Sequence, residues 1–379
     1  MRAEHPTSTS SGWVACLRIC AAVSSVALAA CSHDRVSAPV PVEEFREADA
    51  AALLSVPQEL QALPLQTYDG SGQTVHPDFL APPAQWGHHL MYMVVTPYPS
   101  GTTKYENPSL YAGIDGVGWG AAPGAPMPLA KPTAGYLSDP DLSYNPETND
   151  LMLYYRQASK VDDIFMIRSH DGAVWSSPTK VVSGAFSSVL SPAIVRRGVG
   201  DWAMWSVNGA PGGCHGASTT VQMRRSIDGL VWSEAQNVDL PLSKGLYAWH
   251  IDVQWIPERN EYWALFPVKT AGTCATKAVY LATSPDGVKW QTVSAPVVTA
   301  GAISEFRDVV YRSTFAYDAA NDQVTFWFSG ARSLGKKKIA WRTAVQRRWR
   351  SDIFTAIAAV AKPTVPDPTD DLQACFDPP

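Results

Sequence analysis

Five short segments carry side chains able to move protons or hold charge: His76-Pro77-Asp78, Asp139-Pro140-Asp141, Ser191-Pro192-Ala193, His250-Ile251-Asp252 and Arg312-Ser313-Thr314. Each is followed by an aromatic or apolar residue and reads as an extended strand. Residues two apart on a strand share a face, so each segment presents a pair to one side. Crowded carboxylates raise one another's pKa, which keeps a proton available. Asp78, Asp139 and Asp252, with His250, therefore form a candidate acid–base set. His76, Asp141, Glu106, Asp308, Arg307 and Arg312 are candidates for holding a bound molecule, the arginines through a hydroxyl or carboxylate. Tyr98, Tyr105 and Trp249 offer flat faces for stacking. The competing account is a buried plug of mutually satisfied ion pairs. So many ionisable groups on short strands are costly without a role.

Other chemistries lack their residues. The chain has no His-Glu-x-x-His, no Cys-x-x-Cys, no Gly-x-Ser-x-Gly and no phosphate-binding loop. The formal charge of -5 is spread over both signs, against a nucleic-acid binder. With 46% hydrophobic residues in 379, most of the chain can bury a core. Fourteen Trp and 14 Tyr, punctuated by 26 Gly and 30 Pro, lean towards an all-β fold.

A repeat decides how these segments are positioned. Gly113-Ile114-Asp115-Gly116-Val117-Gly118-Trp119 is followed by Ser169-His170-Asp171-Gly172-Ala173-Val174-Trp175. Ser226-Ile227-Asp228-Gly229-Leu230-Val231-Trp232 and Ser284-Pro285-Asp286-Gly287-Val288-Lys289-Trp290 continue the series. The Trp spacings are 56, 57 and 58, and a further 59 reaches Trp349, a fifth copy without Asp-Gly. A period of this length signals a repeat architecture. Each unit supplies four strands, with Asp-Gly predicted as a tight hairpin turn in which both residues tolerate φ > 0. Five units of four antiparallel strands predict an all-β, five-bladed β-propeller over residues 66–355. Trp119, Trp175, Trp232, Trp290 and Trp349 are expected at equivalent sites. The inner strands line one channel, which carries the five polar segments to a common axis. Arg307 and Asp308, just before the fifth inner strand, are expected to overhang the mouth.

The repeated Ser-x-Asp-Gly-x-x-Trp resembles the Asp-box of five-bladed glycoside hydrolases of families 43, 32, 62 and 117. Ser138-Asp139-Pro140-Asp141-Leu142 is similar to the Asp-Pro-x-Leu that opens the second blade of family 43. Val75-His76-Pro77-Asp78-Phe79-Leu80 sits where that family carries its general base. The resemblance implies hydrolysis of a glycosidic bond, with Asp78 as base and Asp139 orienting substrate and tuning the acid. It also leaves room for a central calcium ion; the residues themselves require no cofactor or metal. Two departures stand out. His76 occupies the slot of the first-blade Asp, and the third blade, Val189-Leu190-Ser191-Pro192-Ala193-Ile194, lacks the Glu that serves as acid. Asp252 or His250 would have to replace it.

The flanks read as address and tether. Arg2 and Arg18 precede an apolar run, Ile19–Ala30, too short to span a membrane. Leu28-Ala29-Ala30-Cys31 resembles a bacterial lipobox, implying cleavage after residue 30 and lipid on Cys31. Residues 1–30 are thus expected as signal peptide, 31–65 as tether and 356–379 as a Pro/Asp-rich tail. Export permits disulfides. Cys214 and Cys274 lie 60 residues apart, one period, in matching loops of neighbouring blades, and are expected to pair. The expectation is an exported, lipid-anchored monomer acting on a poly- or oligosaccharide. The alternative is a surface lipoprotein that only binds glycan.

Overall fold

The computed structural model describes residues 57–82, 86, 91–335 and 338–354. The signal, Cys31, most of the tether and the tail lie outside the described residues. The described chain is five antiparallel sheets, each a blade, arranged as a β-propeller. Blade one comprises Thr74–Leu80, Met91–Pro97, Ser109–Gly113 and Trp119–Ala121. Blade two comprises Tyr136–Asn145, Asp150–Ala158, Val161–Ser169 and Thr179–Ala185. Blade three runs through Leu190–Gly198, Asp201–Asn208, Thr220–Ser226 and Gln236–Asn237. In blade four the first and last strands are each broken in two, as Leu246–Ala248 with Asp252–Ile256 and Gln291–Thr292 with Val298–Thr299. Glu261–Thr270 and Ala278–Ser284 lie between them.

Blade five is built from both ends of the described chain. Val309–Asp318, Gln323–Gly335 and Lys338–Trp349 form its first three strands. Its outermost strand is Gln61–Ala62, which pairs with Val345 and Ala344. Leu63 N–H also donates to Thr343 O, and Arg347 N–H to Pro57 O. Residues 57–65 fall in the stretch the sequence reading assigned to the tether. They close the ring instead, because an unpaired outer edge would leave a row of backbone groups without partners.

Both faces of each blade are covered by neighbours, so strands such as Met91–Pro97 and Asp150–Ala158 are buried along their whole length. Among the described residues the core is accordingly split into six inter-blade clusters rather than one.

The Asp-Gly turns are joints between blades. Asp228 Oδ1 accepts from Leu230 N and Val231 N, at 2.8 and 2.9 Å. Asp115, Asp171 and Asp286 do the same in their turns. Only the glycines take positive φ, from 73° to 76°; the aspartates do not. The turn is therefore an Asp-capped loop rather than the two-residue hairpin expected. The following indole donates to the glycine carbonyl in three of these turns, Trp119 to Gly116, Trp175 to Gly172 and Trp290 to Gly287. An aromatic from the preceding blade reaches the same kind of carbonyl: Trp327 to Gly116, Tyr154 to Gly229, Trp205 to Gly287.

The fifth copy differs from the expectation. Trp349 ends the strand Lys338–Trp349, pairs with Gln323 and is 44% exposed. Without Asp-Gly the strand runs straight into a short helix, Arg350–Phe354. Phe354 from that helix packs on Trp263 of blade four, centroids 5.2 Å apart. Trp263, with no turn carbonyl to meet, donates to Glu261 Oε1 at 2.8 Å.

Candidate functional site

Four inner strands carry a register irregularity near the axis, between Val75/Asp78, Ser138/Asp141, Leu190/Ala193 and Val310/Ser313. Bulges of this kind re-aim side chains. His76, Asp139 and Ser191, each before a proline, sit at φ of 54°, 50° and 53°. Left-handed backbone is strained for such residues and persists where the surroundings enforce it. Two of them, His76 and Asp139, meet in one cluster.

Asp139 is the hub. His250 Nδ1 lies 3.0 Å and His76 Nε2 3.7 Å from its Oδ1. Ser138 Oγ donates to its Oδ2 at 2.9 Å. Arg312 Nη1 stands 3.8 Å from Oδ1 and Arg156 Nη1 3.9 Å from Oδ2. Arg156 is anchored on Asp162 Oδ1 at 2.7 Å. On the far side of His76, Nδ1 faces Thr96 Oγ1 at 3.0 Å and Glu106 Oε1 at 3.2 Å. Tyr311 packs edge-on to His250, centroids 4.4 Å apart, and its hydroxyl accepts from Trp249 Nε1. All of these polar residues except the aromatic hydroxyls are almost fully buried.

Burial pushes the His76 imidazole down to about 3, outweighing the pull of Asp139, and lowers His250 in the same way. Both rings are thus neutral near pH 7. Burial would raise Asp139, but the positive charges that face it, His76 and His250 whenever their rings are protonated and Arg312 throughout, hold it well below the usual carboxylate range. With neutral imidazoles, the fixed positive charges beside it are Arg312 and Arg156. Glu106 is driven well above the carboxylate range by burial and then by Asp139.

A second layer lies two residues further along the same strands. Asp78 Oδ2 accepts from Leu142 N at 2.7 Å, and Asp141 Oδ2 from Ile194 N at 3.0 Å. Thr314 Oγ1 accepts from Phe79 N at 3.4 Å. Three of the five inner strands, those of blades one, two and five, thus hold the backbone of the next. Burial, then a neighbouring aspartate, raises Asp78 and Asp141, and burial brings Asp252 to about 6. Asp78, given the role of base by resemblance, has one oxygen committed to this joint. Ser191, in the slot where an acid was missing, exchanges contacts with the Ile251 backbone of blade four.

The outer candidates separate from the cluster. Arg307 pairs with Asp308 at 3.2 Å, and both bind the Ser333 backbone. Tyr98 packs on Trp341 at 5.5 Å, joining the aromatic chain that continues through Tyr311 to His250. Tyr105 faces Tyr68 at 6.4 Å. Cys214 and Cys274 form a disulfide, and Lys269 Nζ donates to Cys214 O and Gly216 O beside it.

Sequence reasoning did not single out Arg156, Tyr311, Thr96, Tyr136 or Phe186. Arg156 had a signal, a lone charge at the end of Leu151-Met152-Leu153-Tyr154-Tyr155. Phe186 had none. It lies 42% exposed on a turn, with its ring 5.8 Å from the Arg156 guanidinium, which also faces Tyr136 at 5.8 Å.

The cluster fits a metal ion. His76, Asp139 and His250 each offer a ligand atom within 4.8 Å of the others. His76 Nε2, Asp139 Oδ1 and both nitrogens of His250 are buried and make no hydrogen bond. At 3.0 Å, His250 and Asp139 are close enough to bond but not aligned to do so. Two imidazoles and one carboxylate with an open side form the usual donor set of a hydrolytic divalent site. Thr96 and Glu106 on His76 Nδ1 are the outer partners that would fix its tautomer. The sequence reading assigned these residues to acid–base and binding roles, and put His76 or His250 near a metal only through the central calcium that the resemblance leaves room for.

No family model matches the chain. It is 29% identical over 338 residues to the A type blood N-acetyl-alpha-D-galactosamine deacetylase of Flavonifractor plautii, covering 73% of this chain and 44% of that protein. The chain thus spans less than half the length of the curated relative it matches. The crystal structure of an N-acetylgalactosamine deacetylase from F. plautii, in complex with blood group B trisaccharide, superposes with a TM-score of 0.71 at 22% identity. That match covers 81% of this chain and all of the other. The chain shares its five-bladed propeller with carbohydrate-active enzymes. The GH43_1 enzyme from Xanthomonas citri, complexed with xylose, gives a TM-score of 0.53 at 13% identity over 79% of this chain and 93% of its own. The GH93 alpha-L-arabinofuranosidase of Fusarium graminearum gives 0.50 at 13% over 79% and 98%. At these identities the solved structures speak to the fold alone.

Proposed function

We propose that the propeller is a metal-dependent hydrolase that removes the acetyl group from an N-acetylated amino sugar. The observation that carries this reading is the convergence of His76, Asp139 and His250, whose facing atoms are buried and without hydrogen bonds. The deacetylase activity of the F. plautii relative supports it. A divalent ion held there would polarise the amide carbonyl and sharpen a water nucleophile. Glu106 and Thr96 hold His76 with Nε2 turned to the cluster. Arg312 and Arg156 offset the Asp139 charge, keeping it an anion in a buried setting. Tyr136 and the exposed Phe186, on either side of Arg156, give a sugar ring an apolar face to lie against.

Cleavage of a glycosidic bond, implied by the Asp-box resemblance, has less support. It needs two carboxyl groups about 5–9.5 Å apart across the bond. Here Asp78, Asp141 and Asp252 are buried with oxygens within 4.8 Å, and the third blade offers Ser191 and Ala193. The test is a panel of oligosaccharides with and without N-acetyl groups, assayed for acetate and for new reducing ends. Acetate alone, lost with chelator and restored by metal, supports deacetylation. Reducing ends alone support the glycosidase, and saturable binding without either product supports the binding module. We also propose export and lipid attachment at Cys31, supported by Leu28-Ala29-Ala30-Cys31. Retention of Cys31→Ala in the membrane fraction would remove that reading.

A further inference from the structure

We propose that the rim formed by the Asp-Gly turns rests on a lipid bilayer and holds the propeller with the His76–Asp139–His250 cluster facing away from it. The inference rests on the proposed lipid attachment at Cys31, not on the deacetylase reading. In each blade the third strand ends at the end of the sheet remote from the cluster, at Gly113, Ser169, Ser226, Ser284 and Trp349. His76, Asp139 and Ser191 lie instead near the starts of the first strands. Of the 11 large apolar side chains exposed among the described residues, three, Val161, Phe186 and Leu334, lie at the cluster's end and the other eight at the remote end. Ile114, Val174, Ile227 and Val288 sit in the Asp-Gly turns, Val199 in the hairpin after Gly198, and Trp349 at the fifth strand end; they are 37–83% exposed. Single exposed apolar residues are ordinary, but eight at one end, spread over all five blades, are not scattered. The turns do not need them, since their bonds come from the Asp carboxylate and the indole.

Where the chain enters and how the rim is charged point to a bilayer as the occupant. The chain joins the ring at this end, since Pro57 O accepts from Arg347 N, two residues before Trp349. Cys31 precedes Pro57 by 26 residues, a stretch that reaches at most about 94 Å, so a lipid on Cys31 lets this end settle on the membrane. The arginines here are spent on local acids: Arg168, Arg197, Arg225, Arg259 and Arg350 stand 2.6–3.5 Å from Asp150, Asp201 or Asp322. The rim is thus apolar at its tips and charge-paired behind them, unlike a polybasic patch that needs anionic lipid. Tips that enter the headgroup boundary would fix the orientation of the ring, which a lipid chain alone does not. Asp139 lies six residues along its strand from Asn145, so the cluster would stand about 20 Å or more above the rim, towards glycans outside that bilayer.

The experiment adds the full-length lipidated chain to preformed vesicles of phosphatidylcholine, pure or mixed in equal parts with phosphatidylglycerol. With Cys375→Ser removing the spare thiol, a fluorescent label is placed through Ile227→Cys or, at the opposite end, Leu334→Cys. Quenchers are carried either on the lipid acyl chains or in the water. Acyl-chain quenching should be at least about threefold stronger at position 227 than at 334, equal on both lipid mixtures and unchanged by salt. Val174→Ser with Val199→Ser should cut the quenching at 227 at least about twofold and leave turnover of a soluble substrate intact. Equal quenching at the two positions, or a signal that needs phosphatidylglycerol and fades in salt, overturns the proposal. Shielding of 227 from the aqueous quencher without acyl-chain quenching also overturns it, and assigns the rim to a protein partner or a second copy. Intact mass reads the lipid separately. A bare Cys31 overturns the anchor and this inference together, whereas a lipidated chain that fails the quenching test overturns this inference alone.

Discussion

His250 Nδ1 stands 3.0 Å from Asp139 Oδ1, yet the two are not aligned as donor and acceptor. A histidine from blade four and an aspartate from blade two thus approach within bonding distance across the axis and leave the bond unmade. Shared ligation of a metal, as proposed above, would account for that geometry. Asp139→Asn and His250→Ala should each strip the metal from this cluster. Turnover should fall about 10²–10⁴-fold, the usual cost of losing a positioned group. Metal content and circular dichroism on the same samples separate this from unfolding. Normal metal content with full activity in Asp139→Asn would remove the proposed centre.

Phe186 should act on binding rather than chemistry. Phe186→Ala is expected to raise KM about 5- to 20-fold with kcat unchanged, as for loss of one stacking contact of about 1–2 kcal/mol. Steady-state kinetics on an N-acetylated oligosaccharide checks this. An unchanged KM would place the sugar elsewhere.

The turn aspartates are structural. Asp228→Ala frees two backbone N–H groups and should lower stability by about 1 kcal/mol without touching catalysis. Chemical denaturation alongside the activity assay tests both halves. Loss of activity at native stability would mean that this rim joins the site.

Cys214 and Cys274 close a loop of 60 residues across two blades. The double Cys→Ser variant should lose about 4 kcal/mol in the chain-entropy picture. Reducing agent should produce the same loss in the wild type. A variant as stable as the wild type would show that the bridge is incidental to the ring.

Lys269 gives a pH dependence with a definite sign. Burial lowers its ammonium to about 8 from 10.5. Between those values the folded state gives up the proton while the unfolded chain keeps it. The unfolded state then binds more protons, so stability rises with pH across about 8–10.5. A neutral amine still has two N–H groups for Cys214 O and Gly216 O. The wild type should therefore gain about 2 kcal/mol relative to Lys269→Met over that window. Parallel unfolding curves at pH 8 and pH 10.5 test it, and a constant difference would overturn it.

The propeller was legible from the sequence because its determinants are local and repeated. Asp228-Gly229 and Trp232 specify one turn, and four copies at a drifting period of 56–58 specify a ring of blades. The same pattern assigned His76, Asp139, His250 and Arg312 to a common axis, since strand alternation fixes which residues share a face. Three outcomes needed tertiary structure. Gln61–Ala62 pairs with Val345 and Ala344 across almost the whole chain, and no local preference announces a partner so far away. Trp349 keeps the repeat spacing but not the site, because without Asp-Gly the strand continues and Phe354 takes the packing position on Trp263. Above all, the sequence showed that acids and histidines meet, not which atoms face each other. The bulges at His76 and Asp139 rotate the strand enough to set imidazole nitrogens against one carboxylate oxygen and to turn Asp78 and Asp141 towards the next blade. That choice between acid pair and metal site depends on side-chain direction within a few ångströms, which only the packed ring of five blades determines.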